Sequence, residues 1–241
     1  MTQVDSEQKR LGAMARNTLW RVFLGHRSVQ LYLALMVISG VSLFWIYGLT
    51  INALYGVMAV IIAYPLVEYL LHRLILHAKL LYKLPFTAKL WKRIHFDHHQ
   101  DPDDPDVIFG SVDTLLPAAV LLSAPIGWLV GGGAGTLAGL TMGFLVISVY
   151  EYFHCSSHLG AMPKNPYAAM LKRLHMLHHF HNEQGNYGIT SPIWDIILGT
   201  YYAGPQSVPR SPTVRNLGYT PEEAEKYPWV ARATAAKTRR S

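Results

Sequence analysis

Two long stretches without a charged residue limit most strongly how this 241-residue chain can fold. Residues 28–67 form one stretch of 40 positions, and residues 114–150 form a second of 37. As a single helix the first stretch would be about 60 Å long, against roughly 30 Å for the hydrocarbon core of a bilayer. We therefore expect each stretch to cross a membrane twice. The predicted fold class is an all-α integral membrane protein with four transmembrane helices in two hairpins.

Turn signals and composition agree with this fold class. The first hairpin is predicted to turn near Asn52, with spans at 29–51 and 53–76, and the second at the glycine-rich residues 131–135. Only 15% of the residues are charged and 51% are hydrophobic, whereas about 25% are charged in a typical soluble domain. The composition therefore favours a membrane protein.

The basic residues predict the orientation. Every lysine and arginine lies before the first uncharged stretch, between the two stretches or after the second. By the positive-inside rule, both termini and the segment between the hairpins should face the cytoplasm. We divide the chain into a basic amphipathic segment at 1–27, expected on an anionic lipid surface, a membrane-embedded domain at 28–204 and a polar tail at 205–241. Within that tail, where we expect little chemistry, Thr220-Pro221-Glu222-Glu223 predicts the start of a short helix.

The histidines follow an ordered pattern in which eleven of the twelve fall between His72 and His181. The sequence Lys-Arg-x-His-x-x-His-His occurs twice, at 92–99 and at 172–179, and a looser histidine pair precedes each copy. The ten histidines of this pattern are His72, His77, His95, His98, His99, His154, His158, His175, His178 and His179. Residues three and four apart share a helical face, so each copy presents imidazoles at metal-ligand spacing. Ten imidazoles exceed what one ion can bind, and the pattern therefore predicts two metal ions, held beneath the membrane bundle.

The first histidine pair departs from regular helical spacing. His72 and His77 are five residues apart, which on an ideal helix directs them about 140° away from each other. Either the helix ends or bulges between them, as in a π-bulge, or the two residues bind different metals.

Two further residues near the second copy are candidates for supporting the metal ligands. Asp195 lies in the apolar segment 193–199 and needs a hydrogen-bond partner. Either it accepts from the free N–H of a ligand histidine or it caps a helix. His181 lies two residues after the second copy, and we expect it beside the metal-binding histidines.

The expected location of the metals indicates their chemistry. A shell of histidines without thiolates suits zinc, copper, iron or nickel, and the single cysteine, Cys155, is expected to pack as a small buried residue. A site against a transmembrane bundle suits a lipid chain, since apolar residues at 66–71 and 108–109 lie nearby. Methylene groups offer nothing to hydrolyse, which favours oxidation by O2 at two iron ions.

The order His-x4-His, His-x2-His-His, His-x3-His, His-x2-His-His resembles the fatty acid hydroxylase and sterol desaturase superfamily over about residues 60–202. The layout is most similar to fatty acid 2-hydroxylases without their cytochrome b5 domain. The resemblance implies that the ten histidines bind two iron ions, replaceable by zinc, and that O2 is the co-substrate. It further implies that Tyr150 and Glu151 face the substrate, although the family pattern has aspartate at the second position. Asp104, in the run 99–104 that shares the resemblance, is assigned to the surroundings of the metals or of the substrate.

The sequence thus predicts a monooxygenase that hydroxylates a lipid, foremost a fatty acyl chain. Its electrons would come from a separate donor, either cytochrome b5-like or ferredoxin-like with a reductase, and no nucleic-acid partner is expected. The alternatives are a desaturase or methyl oxidase of a sterol-like or carotenoid-like lipid, a bis-histidine haem protein of the membrane, and a metal transporter.

Overall fold

The computed structural model describes residues 18–231, and the regular structure within them is helical, without strands. The helices are α1 (Leu19–Gly25), α2 (Arg27–Tyr47), α3 (Ile51–Leu71), α4 (Lys79–Lys83), α5 (Pro85–Trp91), α6 (Asp97–Gln100), α7 (Pro105–Ile108), α8 (Val112–His158), α9 (Pro166–Phe180), α10 (Ile193–Ile197) and α11 (Pro221–Lys226), with π-helical turns at His72–Leu76 and Lys92–Phe96. Three helical segments of the described chain are long and apolar enough to cross a membrane: Arg27–Tyr47, Ile51–Lys83 and Asp106–His158. The all-helical membrane fold is confirmed at this level.

The turn predicted near Asn52 lies at residues 48–50, two to four residues earlier in the chain. Gly48 has a φ of 67°, which favours glycine, and the Thr50 side chain caps α3 by accepting from the Ala53 N–H. Asn52 already lies in the first turn of α3. Gly48 and Thr50 therefore set the boundary between α2 and α3.

The third long helix, α8, folds back on itself. Its backbone leaves the helical region at Gly132 (φ 57°, ψ −142°), inside the glycine run that predicts a turn. The two arms approach so closely that a Cβ on Gly127 would lie 2.1 Å from the carbonyl oxygen of Gly135, and one on Gly139 would lie 2.7 Å from that of Ser123. Gly127 thus meets Gly135, and the earlier residue Ser123 meets the later residue Gly139, so the two arms are antiparallel.

The second arm of α8 runs parallel to α3. The starts of the two helices meet, since a Cβ on Gly135 would lie 3.4 Å from the Asn52 carbonyl and one on Gly56 would lie 2.4 Å from the Gly135 carbonyl. Small residues allow this approach of two backbones, as in other helix pairs packed within membranes. Because the two helices run in the same direction, their histidine-bearing ends, at His72 and His158, emerge at the same end of the bundle.

Helix α1 packs against protein. Its apolar residues Leu19 and Phe23 are buried with Val29, Phe109 and Leu159, in the same cluster as the buried Cys155. An amphipathic pattern is compatible with either a lipid or a protein surface, and for these two residues the expectation of a lipid surface is wrong. Residues 1–17 of the predicted amphipathic segment lie outside the described part of the chain.

Residues 205–231 pack on the helices that surround the histidines. Tyr82 and Trp91 are buried against Leu217 and Val230, and the Trp229 indole donates to the Tyr82 carbonyl at 2.6 Å. The predicted tail helix is present as α11, with Thr220 accepting from the Glu223 N–H. The tail thus forms one wall of the histidine region.

Candidate metal centre

The ten patterned histidines form two groups of five. Within each group one ring nitrogen per residue lies within 4.8 Å of all the others. Cluster A consists of His72, His77, His95, His99 and His178, and cluster B consists of His98, His154, His158, His175 and His179. The sequence predicts two metals sharing the set, and the structure groups the ten residues in two sets that could each hold an ion.

Each half of the histidine pattern, residues 72–99 and residues 154–179, contributes one histidine to the cluster formed mainly by the other half. The first half supplies four members of cluster A and gives His98 to cluster B, while the second half supplies four members of cluster B and gives His178 to cluster A. In each repeated motif the outer two histidines, four residues apart, join one cluster and the middle one joins the other. Each motif therefore bridges both clusters.

Local helix geometry explains how the irregular pair converges. Between His72 and His77 the chain forms a π-helical turn, and the His77 N–H bonds to the His72 carbonyl at 3.2 Å. The wider π turn places residues five apart on one side, and the two ring centroids are 5.0 Å apart. The predicted bulge is confirmed, and both residues belong to cluster A. On the other side of the site, α9 begins with Asn165 as its N-cap and Pro166 in its first turn.

The spacing of the ring nitrogens fits a shared cation. In cluster A the Nε2 atoms of His77 and His95 are 2.8 Å apart and those of His72 and His95 are 3.3 Å apart. In cluster B the Nε2 atoms of His98 and His154, like those of His158 and His175, are 2.9 Å apart. Nitrogens bound about 2.1 Å from one ion at right angles would lie about 3.0 Å apart. The buried Nε2 atoms of His99 and His179 have no hydrogen-bond partner among the described residues, which leaves their lone pairs for an ion.

Burial keeps these rings neutral. Nine of the ten histidines are buried, and His77 is partly exposed. Loss of solvent, followed by the neighbouring histidines, holds the pKa of His98 and His175 well below the ordinary value, and burial lowers the pKa of His99 to about 3. A neutral imidazole is the form that binds metal.

Backbone carbonyls orient three members of cluster A. The Nδ1 atom of His72 lies 2.5 Å from the Tyr187 carbonyl, that of His178 lies 2.8 Å from the Gly185 carbonyl, and that of His99 lies 3.0 Å from the Val214 carbonyl. A carbonyl can only accept, so each Nδ1 carries the proton and each Nε2 keeps its lone pair. The tail residue Val214 thus supports the site, and no sequence pattern indicated it because only its backbone takes part.

Asp195 does not contact a histidine. Its carboxylate accepts from the backbone N–H groups of Tyr187 (2.9 Å) and Gly188 (2.7 Å) and from the Thr200 hydroxyl (2.7 Å). Neither of the two expectations, a ligand histidine as donor or a helix cap, describes these bonds. Asp195 instead holds the turn whose carbonyls meet His72 and His178.

His181 and Asp104 lie outside the two clusters. His181 donates through Nε2 to the Val208 carbonyl at 2.8 Å and so ties the tail to α9. The Asp104 carboxylate accepts from the Asp106 N–H at 2.9 Å as the N-cap of α7. An aspartate before Pro105 is a common helix start.

Tyr150 and Glu151 lie at the cluster B end of α8. The Tyr150 ring stacks on His154 with centroids 5.6 Å apart, and the fully buried Glu151 accepts from the Gly110 N–H at 2.9 Å.

Glu68 was not among the predicted site residues, although an acid at the end of an uncharged run and four residues before His72 was a signal for it. Its buried carboxylate accepts from the N–H groups of Ile189 (2.5 Å) and Thr190 (2.9 Å) and from the Thr190 hydroxyl (2.5 Å).

Comparison with known proteins places this arrangement in a family. The family model described as fatty acid hydroxylase matches residues 57–200, which is more than half of the chain and includes all ten clustered histidines. The chain belongs to the fatty acid hydroxylase family.

Its relatives in this family are known from several eukaryotes. The chain is 29% identical over 153 residues to the dihydroceramide fatty acyl 2-hydroxylase FAH2 of Arabidopsis thaliana, covering 58% of this chain and 57% of that protein. It is 30% identical over 139 residues to the fatty acid 2-hydroxylase of Homo sapiens, covering 57% of this chain and 37% of that protein. The match thus spans little more than half, or less, of the relatives' own length.

A solved structure shares the fold. The structure of full-length Scs7p, in which only the hydroxylase domain is visible, matches with a TM-score of 0.60 at 23% identity, covering 80% of this chain and 69% of that one. The likeness extends well beyond the histidine motifs and shows that this fatty acid hydroxylase family member has the fold of the Scs7p hydroxylase domain.

Proposed function

We propose that this family member is a membrane-bound di-iron monooxygenase that hydroxylates a fatty acyl chain. The observation that carries the proposal is the pair of five-histidine clusters at one end of an apolar helical bundle. Relatives named as fatty acid 2-hydroxylases support both the reaction and the substrate class.

In this proposal the five histidines of each cluster bind one iron ion, which zinc could replace. Bound there, the two iron ions would supply the redox chemistry that inserts one oxygen atom of O2 into a C–H bond. The other oxygen atom leaves as water, so each turnover consumes two electrons and two protons. A separate electron donor, either cytochrome b5-like or ferredoxin-like with its reductase, would supply those electrons.

The protein's own groups position the substrate and the ligands. Tyr150 and Glu151 would face the substrate at the cluster B end of α8, where Tyr150 stacks on His154. The backbone carbonyls of Tyr187, Gly185 and Val214 hold the proton on Nδ1 of three histidines, which leaves the Nε2 lone pair of each free to bind a metal. Water-poor surroundings, built by buried rings and helix ends, suit an unreactive hydrocarbon chain.

The proposed topology has four spans in two hairpins, with both termini and both clusters on the cytoplasmic side. The fold of α8 back on itself at Gly132 supports a double crossing by this helix. The confinement of lysine and arginine to the segments outside the two uncharged stretches supports the orientation.

Two non-enzymatic alternatives fit the geometry poorly. Axial haem ligands must lie on opposite faces of a porphyrin, and Nε2 atoms 2.8–3.3 Å apart leave no space for the macrocycle. Transporter ligands would line the spans at mid-depth, whereas both clusters lie where α3 and α8 end. A desaturase or methyl oxidase would use the same centre, and its product distinguishes it.

The test is mass spectrometry of total lipids from cells with and without the chain. We expect acyl chains heavier by one oxygen atom, and no such product from His98→Ala or His178→Ala, which remove one ligand from cluster B and one from cluster A. His26→Ala is the matched control, since His26 bonds to Ser28, stacks on Phe109 and belongs to neither cluster. Membrane expression and metal content are measured for each variant. Unchanged product from either cluster variant would refute the proposal, and acyl chains lacking two hydrogen atoms would indicate a desaturase.

A further inference from the structure

Residues 185–190 form a loop, here the carbonyl loop, that supports cluster A and makes no such contact with cluster B. Its carbonyls at Gly185 and Tyr187 accept from Nδ1 of His178 and His72. Within the described residues, the Nδ1 atoms of four cluster B histidines, His98, His158, His175 and His179, lack a hydrogen-bond partner, and only His154 lies within reach of a backbone group, that of Ile108. The two clusters thus have equal numbers of histidines, but more of the cluster A rings are oriented by hydrogen bonds from Nδ1 to backbone carbonyls.

Two buried carboxylates on different helices hold the carbonyl loop. Glu68, one turn before His72 on α3, accepts three hydrogen bonds from Ile189 and Thr190. Asp195, on α10, accepts from the Tyr187 and Gly188 N–H groups. Hydrogen bonds to a carboxylate are stronger than those between neutral groups, and these reach the N–H groups of four consecutive residues, 187–190.

The rest of the loop is also fixed. Asn186 has a φ of 53°, and its side chain exchanges two hydrogen bonds with the Tyr202 backbone, both at 3.0 Å. A Cβ on Gly188 would lie 2.0 Å from the Ser191 carbonyl, so glycine is required there. The peptide planes of the loop therefore have little freedom to turn their carbonyls away from His72 and His178.

We propose that the two clusters bind metal unequally, with cluster A as the tight site, and that Glu68 and Asp195 set this difference by clamping the carbonyl loop. The inference rests on the proposed function in that both clusters bind metal. A carbonyl that accepts from Nδ1 fixes the ring's orientation and makes Nε2 a stronger donor, and such outer partners change metal affinity roughly 10- to 100-fold. Glu68 and Asp195 are positioning residues, since they act on the metal ligands through the loop.

The experiment loads the purified full chain with Zn2+ in detergent and follows zinc release to excess EDTA. We expect two ions per chain, one leaving at least about tenfold more slowly than the other. The phases are assigned with His178→Ala, which should remove the slow phase, and His175→Ala, which should remove the fast phase.

Glu68→Gln then tests the clamp. Glutamine keeps one acceptor oxygen where three donors converge, so the slow phase should accelerate roughly 10- to 100-fold while the fast phase keeps its rate. Glu151→Gln is the matched control, because Glu151 is also a buried acid close before a cluster histidine, yet its carboxylate bonds to Gly110 and to no residue of the carbonyl loop. Its slow phase should stay at the wild-type rate. Thr190→Val, which removes only the hydroxyl donor, gives a milder test if Glu68→Gln fails to fold.

The outcomes separate this inference from the proposed function. Two zinc ions released at a single rate, a slow phase that depends on His175, or a slow phase unchanged in both Glu68→Gln and Thr190→Val would overturn the inequality or the clamp and leave the two-metal centre intact. Fewer than two ions in well-folded protein would overturn both proposals together.

Discussion

Replacing Gly127 with alanine tests the packing that brings the two histidine-bearing helix ends together. A Cβ at this position would lie 2.1 Å from the Gly135 carbonyl oxygen, whereas ordinary contact begins at 3.4 Å. The arms of α8 must therefore separate by about 1.3 Å, and α3 must follow because Gly56 also packs on Gly135.

The expected cost is at the upper end of about 1–3 kcal/mol, since the obstacle is backbone and cannot rotate away. For a chain of this size that corresponds to a fall of roughly 5–10 °C in the midpoint of thermal unfolding, followed by tryptophan fluorescence in detergent. Gly25→Ala is the control, because nothing lies within 4 Å of a Cβ there. Equal midpoints for the two variants would refute the close packing of the α8 arms.

Two further predictions concern pH and topology. Burial lowers the pKa of His99 to about 3, so the folded metal-free protein keeps this ring neutral below pH 6.5 while the unfolded chain protonates it. The free energy of unfolding is therefore retained above pH 6.5 and falls as the pH drops below it, by about 1.4 kcal/mol per pH unit for each such ring. A midpoint of thermal unfolding that does not change between pH 6.5 and 5 would contradict the burial of neutral rings. For the topology, a reporter fused at Gly133 should lie outside the cytoplasm and one at Lys83 inside, and a cytoplasmic signal from Gly133 would exclude the four-span arrangement.

Much of the fold follows from sequence patterns that act locally. Absence of charge predicts membrane helices, and the glycine run predicts the turn that the structure has at Gly132. The five-residue spacing of His72 and His77 indicates a helix end, a bulge or two different metals, because no regular α-helix brings both rings to one side, and the structure has the bulge.

Features that depend on packing between elements could not be predicted. Helical spacing shows that His175, His178 and His179 lie near one another. That His178 joins a different cluster from its two neighbours depends on where the first copy of the motif, residues 92–99, lies in the folded chain. Likewise, Asp195 plainly needs donors, yet two backbone N–H groups of a turn satisfy it as well as an imidazole would.

The amphipathic pattern of α1 is equally ambiguous. Leu19 and Phe23 could contact lipid or protein, and contacts from distant parts of the chain determine which.

Oxygen isotope labelling tests the central claim most directly. The purified chain, loaded with iron and supplied with a reductant system and an acyl lipid, would react under 18O2 in ordinary water, and the products would be analysed by mass spectrometry. A monooxygenase places one 18O atom in the hydroxylated acyl chain, and His98→Ala protein treated in the same way should form no such product. A hydroxyl group that carries ordinary oxygen from water, or an oxidised lipid formed equally by the His98→Ala protein, would contradict the proposed function.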